Sequence, residues 1–278
     1  MIGREYSHIF PPKPGPKPAG GPAALDVRSL GWTDQLNDIS FTIQRGEVVG
    51  LGGLDGQGQR ELLLALFGVL RGCRGDVLVE GQPAAIASPA AAKSDRFGIA
   101  LIPEDRKTEG LMLPMSVRDN LSFASLDRVS KGGVIDRVAE HKLIEAMIDL
   151  LAIKTADASQ PVSALSGGNQ QKVVIAKWLM RGPRIILLND PTRGIDVGTK
   201  QEIYQLLRKL ADAGAAILFY STDYDELIGC CDRVLVLYDG AIKRELKGEE
   251  ITEHALIASA LDLPGVAAGA VSSPEVRQ

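Results

Sequence analysis

Short apolar runs alternate with stretches of helical periodicity along most of the chain. Residues 47–51 form an apolar run that leads into a glycine-rich turn at residues 52–58, and leucines at helical spacing follow over residues 59–67. A strand, a glycine turn and a helix in this order predict a phosphate-binding loop. Further strands are predicted at residues 25–27, 39–43, 76–80, 98–102, 185–188, 215–220 and 233–238.

The middle of the chain, from about residue 111 to residue 165, is mainly helical in pattern, most clearly over residues 137–153. An amphipathic helix is predicted at residues 200–213 and a terminal helix at residues 249–261. Strands interspersed with helices in this way indicate an α/β domain.

The helical run at residues 173–180 follows Ser166-Gly167-Gly168, in which Ser166 is a good N-cap. Free N–H groups at a helix start, the helix dipole and a hydroxyl together make an anion pocket. Taken alone, these three residues are explained more simply as an ordinary capped helix. The strand that follows and ends in Asn189-Asp190 favours phosphate binding instead, because phosphate-handling α/β domains are assembled in this order.

Both ends of the chain differ in composition from the rest. Residues 1–23 contain a run of proline, glycine and lysine that favours extended backbone, so they are predicted to be a linker without fixed structure. Residues 264–278 are predicted to be a disordered tail. A single domain is therefore expected at residues 24–263.

Composition excludes several classes of protein. The chain is 45% hydrophobic, which suffices for a large core, and its net charge of −4 gives no support to a nucleic-acid partner. Its three cysteines lack metal-ligand spacing and indicate reduced thiols in a cytoplasmic protein. No apolar run approaches the roughly 18 residues of a membrane span, so any role at a membrane requires a partner.

The segment Leu165 to Gln170 resembles the signature motif of ABC-type ATPases, and residues 185–196 resemble their Walker B and D-loop region. Residues 103–107, 169–172 and 191–198 are similar to the carbohydrate-import branch of the ribose, galactose and xylose type. That branch carries two nucleotide-binding domains in tandem, and this chain resembles the second, C-terminal one. The resemblance implies a P-loop ATPase with a RecA-like core, an antiparallel β-layer and an inserted helical subdomain at about residues 111–165.

The same resemblance implies ATP and Mg²⁺ as cofactors, with a phosphate cradle at Gly53, Gly56 and Gly58. Gln59 stands where the motif has lysine, and Arg60 stands where it has the Ser or Thr that ligates Mg²⁺. Arg60 either restores the missing cation or is a solvated residue on the helix surface. The candidate nucleotide-binding residues around the loop are Trp32, Gly53, Gly56, Gly58, Gln59, Arg60 and Glu61, with Trp32 either stacking on adenine or packing in the core.

The Walker B region also departs from the family pattern. Asn189 replaces the aspartate that supports Mg²⁺, and Asp190 replaces the catalytic glutamate with a shorter carboxylate. Glu104 occupies the Q-loop position and is a candidate for catalysis and for the metal. Thr222 stands in place of the switch histidine, whose chemistry a hydroxyl cannot perform. These changes predict a site that binds nucleotide weakly or holds it without hydrolysis.

The signature, by contrast, is intact. In the family, two domains pack head to tail, so Ser166, Gly167 and Gly168, together with Gln170 and Asp196, are expected to act on nucleotide held by the partner domain. The expected partners are a second nucleotide-binding domain, a membrane permease contacted by residues 112–120, and indirectly a periplasmic sugar-binding protein. Core packing explains residues 112–120 as well as a permease contact does. The expected location is the cytoplasmic face of the inner membrane.

Two other functions are alternatives to this assignment. A non-hydrolysing regulatory or structural half would bind nucleotide only to hold a dimer together, and the altered loop favours it for the isolated domain. A soluble ABC protein acting on DNA or ribosomes is disfavoured by the absence of a basic stripe.

Overall fold

The computed structural model describes residues 10–13 and 21–263. The predicted tail and most of the predicted linker lie outside these residues. Phe10, within the predicted linker, stacks on Tyr204 with ring centroids 5.0 Å apart. The strands of the described part are β1 (Leu25–Trp32), β2 (Leu36–Ile43), β3 (Val48–Gly52), β4 (Arg74–Val79), β5 (Gln82–Pro83), β6 (Ile99–Ile102), β7 (Ser130–Lys131), β8 (Val134–Ile135), β9 (Ile185–Asn189), β10 (Ala216–Tyr220), β11 (Arg233–Tyr238) and β12 (Ala241–Lys247).

Helices connect the strands and begin at capping side chains in most cases, because a short polar side chain satisfies the first free N–H groups. Asp136, for example, accepts hydrogen bonds from the backbone N–H groups of Val138 and Ala139. The helices are α1 (Gln59–Leu66), α2 (Pro89–Ala92), α3 (Val117–Ser122), α4 (Arg137–Leu151), α5 (Gly167–Leu179), α6 (Val197–Asp212), α7 (Tyr224–Cys230) and α8 (Glu253–Ala260).

A six-stranded sheet in the order β12-β11-β3-β10-β9-β6 forms the centre of the domain. All neighbours are parallel except β11 and β12. Strands β3, β9 and β10 are buried along their whole length, as expected for a parallel sheet covered on both faces. Because parallel strands end at one edge, the segments after Gly52, Ile102, Asn189 and Tyr220 meet there.

Different layers cover the two faces of this sheet. Along β10, Ile217 and Phe219 face a core shared with α5, α6 and the helical region. Leu218 and Tyr220 face a second core shared with α1 and a four-stranded antiparallel sheet in the order β2-β1-β4-β5. The predicted antiparallel layer and α/β core are thus present.

The inserted region is less uniformly helical than its pattern predicted. Helices α3 and α4 pack against α5, but β7 and β8 form a small antiparallel hairpin between them. After Ala152, which ends α4 in the left-handed conformation (φ 46°), the chain runs to the signature with only a 3₁₀ turn at Val162–Ala164. Pro161 precedes that turn and disfavours a helix running through it.

Several elements of the structure were not predicted from the sequence, among them β12 and α7. The first turn of the predicted terminal helix is instead a separate 3₁₀ turn at Gly248–Glu250. Thr252 begins α8 instead, because its side chain accepts a hydrogen bond from the N–H of Ala255. No helix in residues 10–13 and 21–263 is long and apolar enough to cross a bilayer.

Candidate functional site

The glycine loop between β3 and α1 has the backbone of a phosphate cradle. Gly53, Gly56 and Gly58 all adopt positive φ, at 128°, 79° and 102°. A Cβ at Gly58 would lie 2.8 Å from the carbonyl oxygen of Gln35, and one at Gly53 would collide with that of Leu237. The backbone conformation favours glycine at all three positions, and space also requires it at Gly53 and Gly58.

The side chain of Gln59 is turned into this loop. It is 1% exposed, and its Nε2 donates to the carbonyl oxygens of Leu54 at 3.0 Å and Gly52 at 3.3 Å. Its Oε1 accepts from the backbone N–H of Gln57 at 3.0 Å. One of the loop's own N–H donors is thus paired within the chain, and the residue at the lysine position is fully hydrogen-bonded.

Arg60 is paired with a carboxylate outside the loop. Its Nη2 lies 2.7 Å from Oε1 of Glu109, and its side chain is 45% exposed. This geometry favours the surface alternative over a replacement cation. Glu61 lies beside it in the first turn of α1.

Trp32 ends β1 and is half-buried against the second core. Its indole Nε1 donates to the carbonyl oxygen of Arg71 at 2.9 Å. The ring is therefore fixed by the protein itself, which favours the packing alternative for this residue.

Asn189 ends strand β9 at the edge where the loop lies, and Asp190 follows it directly. Asp190 has a positive φ of 43°, and its Oδ2 accepts a hydrogen bond from Thr222 Oγ1 at 2.7 Å. Burial raises the pKa of the Asp190 carboxyl above its ordinary value, and the hydrogen bond from Thr222 opposes this rise. The structure thus brings together the residues predicted at the catalytic glutamate and switch positions.

The amide of Asn189 is 3% exposed, and its Oδ1 has no hydrogen-bond partner within the described residues. Such an orphaned amide oxygen suits a hard cation such as Mg²⁺, which is usually held by one or two protein oxygens plus phosphates and water. Asn189 and Asp190 therefore fit a weak, nucleotide-dependent Mg²⁺ site. No cluster of three His, Cys, Asp or Glu residues that could hold a metal occurs in the described part of the chain.

Glu104 follows β6 and is paired with a residue of the D-loop. Its carboxylate forms an ion pair with the guanidinium of Arg193. This pairing opposes a direct role for Glu104 in holding a metal, because the carboxylate already has a cationic partner.

The signature turn begins helix α5 as predicted. Ser166 is exposed, and its Oγ accepts from the backbone N–H of Asn169 at 3.5 Å and from the side-chain Nδ2 of Asn169 at 2.9 Å. Gln170 is buried, and its Nε2 donates to the carbonyl oxygen of Leu165 at 3.1 Å. Ser166 therefore faces outward, whereas Gln170 supports the turn from inside.

The two signature glycines are bounded by other segments of the chain. A Cβ at Gly167 would lie 2.9 Å from Nη2 of Arg106, and one at Gly168 would lie 2.5 Å from Oγ1 of Thr199. Asp196 caps α6, since its carboxylate accepts from the N–H of Thr199 at 3.0 Å and from its hydroxyl at 2.8 Å. These hydrogen bonds lower the pKa of Asp196.

A buried carboxylate that sequence reasoning missed lies beneath the Walker B region. Glu226, in α7, is 1% exposed and accepts hydrogen bonds from four side chains, three of which are more than twenty positions away in sequence. The donor side chains are Thr192, Tyr204, Ser221 and Lys200, each about 2.7 Å away. This network fixes the segments after β9 and β10 against α6.

The fold is that of ATP-binding cassettes from ABC transporters. The cassette MJ1267 superposes with a TM-score of 0.74 at 20% identity, covering 86% of this chain and 98% of that one. The structure of cbiO1 from Clostridium perfringens, described as part of the ABC transporter complex cbiONQ, superposes with a TM-score of 0.70 at 25% identity. That alignment covers 87% of this chain and 96% of cbiO1. The predicted fold class is confirmed.

The sequence profile of the ABC transporter family matches residues 36–193. The chain therefore belongs to the ABC transporter family. It is 77% identical over 265 residues to ribose import ATP-binding protein RbsA 1 of Mesorhizobium japonicum, covering 95% of this chain and 52% of that protein. It is 42% identical over 260 residues to RbsA 2 of Streptomyces avermitilis, covering 94% and 50%. The chain thus spans about half the length of the curated relatives it matches.

Proposed function

We propose that this chain is one of two nucleotide-binding domains, the second, of an ATP-binding protein that drives ribose import. Its signature acts on ATP held by the partner domain, while its own site hydrolyses ATP slowly or not at all. The relatives named for ribose import support the transport role. The contrast between an outward Ser166 and an inward Gln59 supports the division of labour.

At its own site, the loop glycines and the N-terminus of α1 would receive the phosphates of ATP. Asn189 and Asp190 would hold Mg²⁺, and the ion would supply positive charge to offset that of the phosphates. Gln59 brings no positive charge, and Arg60 is paired with Glu109. The site therefore has a cradle for the phosphates but no cationic side chain placed over them, which favours binding over turnover.

The signature offers the chemistry that the loop lacks. Ser166 Oγ and the first N–H groups of α5 lie at the positive end of the helix dipole. Donors fixed in this way stabilise charge that develops on a phosphoryl group without reorganising during the reaction. They would complete the site around ATP bound to the opposite domain.

The partners follow from the same assignment. A second nucleotide-binding domain supplies the competent loop, a membrane permease contacts the region of residues 112–120, and a periplasmic sugar-binding protein delivers the solute. Met115 is 39% exposed and Phe123, just beyond this region, is 55% exposed, as expected of an adaptable contact surface. The domain would lie on the cytoplasmic face of the inner membrane.

A second candidate is a regulatory half that binds ATP and never cleaves it. The pairing of Gln59 with its own loop favours this candidate. The weak enzyme and the regulatory half are separated by measuring steady-state ATP hydrolysis. The transporter used is one in which only this chain's own site is competent. Slow but measurable turnover indicates a weak enzyme, and none indicates a regulatory half.

The division of labour is tested by two variants in the complete transporter reconstituted in vesicles. Ser166→Arg places a bulky cation on the signature and should lower ribose uptake by about a hundredfold, the size of effect seen when a fixed donor is lost. Asp190→Asn should change uptake by less than about twofold, since it alters only the weak site. Equal losses from both variants would contradict the proposal.

A further inference from the structure

Arg106 joins two segments that face the partner domain in the proposed function. It begins a π-helical turn at Arg106–Gly110, immediately after Asp105, whose side chain caps that turn. Its Nη1 donates to the carbonyl oxygen of Arg193 in the D-loop at 3.3 Å. Its Nη2 lies 2.9 Å from the position that a Cβ would occupy at Gly167 in the signature.

The same D-loop residue is held a second time. The guanidinium of Arg193 pairs with the carboxylate of Glu104, two residues before Arg106. The segment after β6 thus contacts Arg193 twice. Glu104 binds the side chain of Arg193, and Arg106 binds its backbone carbonyl. Both contacts join residues that are more than eighty positions apart, so they fix tertiary geometry and not local conformation.

Gly167 is the structural complement of Arg106. A side chain at residue 167 would occupy the space of the guanidinium, so glycine allows the flat group to lie against the start of α5. The Nε of Arg106 is buried and has no hydrogen-bond partner within the described residues. The planar guanidinium of an arginine can contact two segments at once, whereas the ammonium of a lysine is a single point of charge.

We propose that Arg106 is a positioning residue that clamps the signature turn to the D-loop. The clamp keeps Ser166 and the first N–H groups of α5 at a fixed distance from the D-loop as the two domains close. This inference rests on the proposed function, because it concerns the orientation of donors that act on the partner's ATP. Arg106 itself touches no nucleotide in this proposal.

The clamp is tested first by hydrogen exchange in the purified chain. The N–H of Asn169 is bonded to Ser166 Oγ, that of Gln170 to the Ser166 carbonyl, and that of Arg193 to the Asp190 carbonyl. Arg106→Met should raise the exchange rates of all three amides by about tenfold. In the native chain, local opening must break the contacts of Arg106, and in the variant that cost is absent. Arg28→Met is the matched control, since Arg28 is an exposed arginine paired with Asp26 on the antiparallel sheet. Unchanged exchange in Arg106→Met would overturn the proposal.

The positioning role is tested by ATP hydrolysis in the complete transporter. Arg106→Met should lower kcat by about tenfold or more, since small displacements of fixed groups have large effects on rate. The KM for ATP should change by less than about threefold, because the phosphate loop of the competent site belongs to the partner domain. Arg106→Lys should restore little of kcat, whereas Arg28→Met should retain it.

Faster exchange together with a normal kcat in Arg106→Met would also overturn the role. Ser166→Arg, assayed in the same preparation, separates this inference from the proposed function. If Ser166→Arg retains full turnover, the proposed function fails. The exchange rates of the Arg106 variants still decide whether the clamp exists.

Discussion

The phosphate loop and the signature turn are both glycine-rich helix starts, yet their polar groups point in opposite directions. At the loop, α1 begins at Gly58 without a side-chain cap, and Gln59 accepts a loop N–H and donates to two loop carbonyls. At the signature, Ser166 caps α5 and remains exposed. A glycine-rich helix start can thus be oriented toward its own chain or toward a neighbour, depending on where one side chain finds its partner.

The charged side chains around the loop and the signature turn show the same contrast between internal pairing and availability. Near the loop, Arg60 pairs with Glu109 and Glu104 pairs with Arg193, so these charges are neutralised within the chain. At the signature, the guanidinium of Arg106 lies beside Gly167, and its one side-chain hydrogen bond found in the described residues goes to a neutral carbonyl. Positive charge is therefore available at the turn that is proposed to face a partner domain, and it is scarce at the loop that is proposed to bind this chain's own nucleotide.

The largest effect is expected from a methyl group at the signature. In Gly168→Ala the new Cβ would lie 2.5 Å from Thr199 Oγ1, so α5 and α6 must separate. ATP turnover of the complete transporter should fall about a hundredfold. Gly56→Ala is the matched change in the loop: it costs about 1–2 kcal/mol of backbone strain but meets no atom within 4 Å.

Turnover should fall by less than about twofold in Gly56→Ala, since the weak site contributes little to the rate. Adding Thr199→Ala to Gly168→Ala removes the two closest atoms and should recover part of the turnover. Equal losses from the two alanine variants would remove the distinction between the regions.

A smaller effect concerns the network beneath the Walker B segment. Tyr204→Phe removes the hydroxyl that donates to Glu226 Oε1 at 2.7 Å and leaves the ring stacked on Phe10. The free energy of unfolding should fall by about 2 kcal/mol, as for other hydrogen bonds to a charged group. Denaturant titration measures it, with Tyr238→Phe at the end of β11 as a control that should change by less than about 0.5 kcal/mol. Equal values would show that Glu226 does not depend on Tyr204.

A change at the lysine position should partly convert the loop to the family pattern. Gln59→Lys replaces a neutral amide with an ammonium, and the affinity of this site for ATP with Mg²⁺ should rise about tenfold. Equilibrium binding of a fluorescent ATP analogue measures the gain. Gln205→Lys, which adds the same charge on an exposed face of α6, should leave the affinity unchanged. An unchanged affinity in Gln59→Lys would mean that the missing charge does not limit binding.

The smallest effect is a pH-dependent gain in stability from Asp190→Asn. A raised pKa means that the folded chain binds a proton more tightly than the unfolded chain, so stability falls as the pH rises from the ordinary aspartate value through the raised pKa. Asparagine removes this loss, tolerates the positive φ and still accepts from Thr222. The variant should unfold at higher denaturant concentration above this pH window. A gain that persists below the ordinary aspartate pKa would contradict the burial argument.

The sequence predicted the features whose causes are local. Each of these features depends on a few neighbouring residues: the glycines of the loop, the cap at Ser166, the mainly apolar strand at residues 47–51 and the fully apolar strand at residues 185–188. The start of helix α7 could also have been predicted from the sequence, because Asp223 is a typical capping residue. In the structure its side chain accepts a hydrogen bond from the N–H of Asp225. The half-exposed, charged edge strand β12 gives a much weaker pattern.

The direction of side chains at the site could not be predicted in this way. Gln59 turns inward because carbonyl oxygens of its own loop accept its amide hydrogens. Arg106 meets Gly167, and Glu226 meets Thr192, only after segments far apart in sequence have packed together. Motif spacing identifies which residues stand at a site, whereas tertiary contacts decide which of them are free to act.

The most direct test is the identity of the nucleotide at each of the two sites in the complete transporter, stopped during turnover. A photoreactive ATP labelled on its base links whatever nucleotide is bound to the domain that holds it, and digestion separates the two domains. Hydrolysed nucleotide should be found on the partner domain and intact ATP on this chain's loop. Hydrolysed nucleotide in equal proportion on both domains would contradict the division of labour between loop and signature.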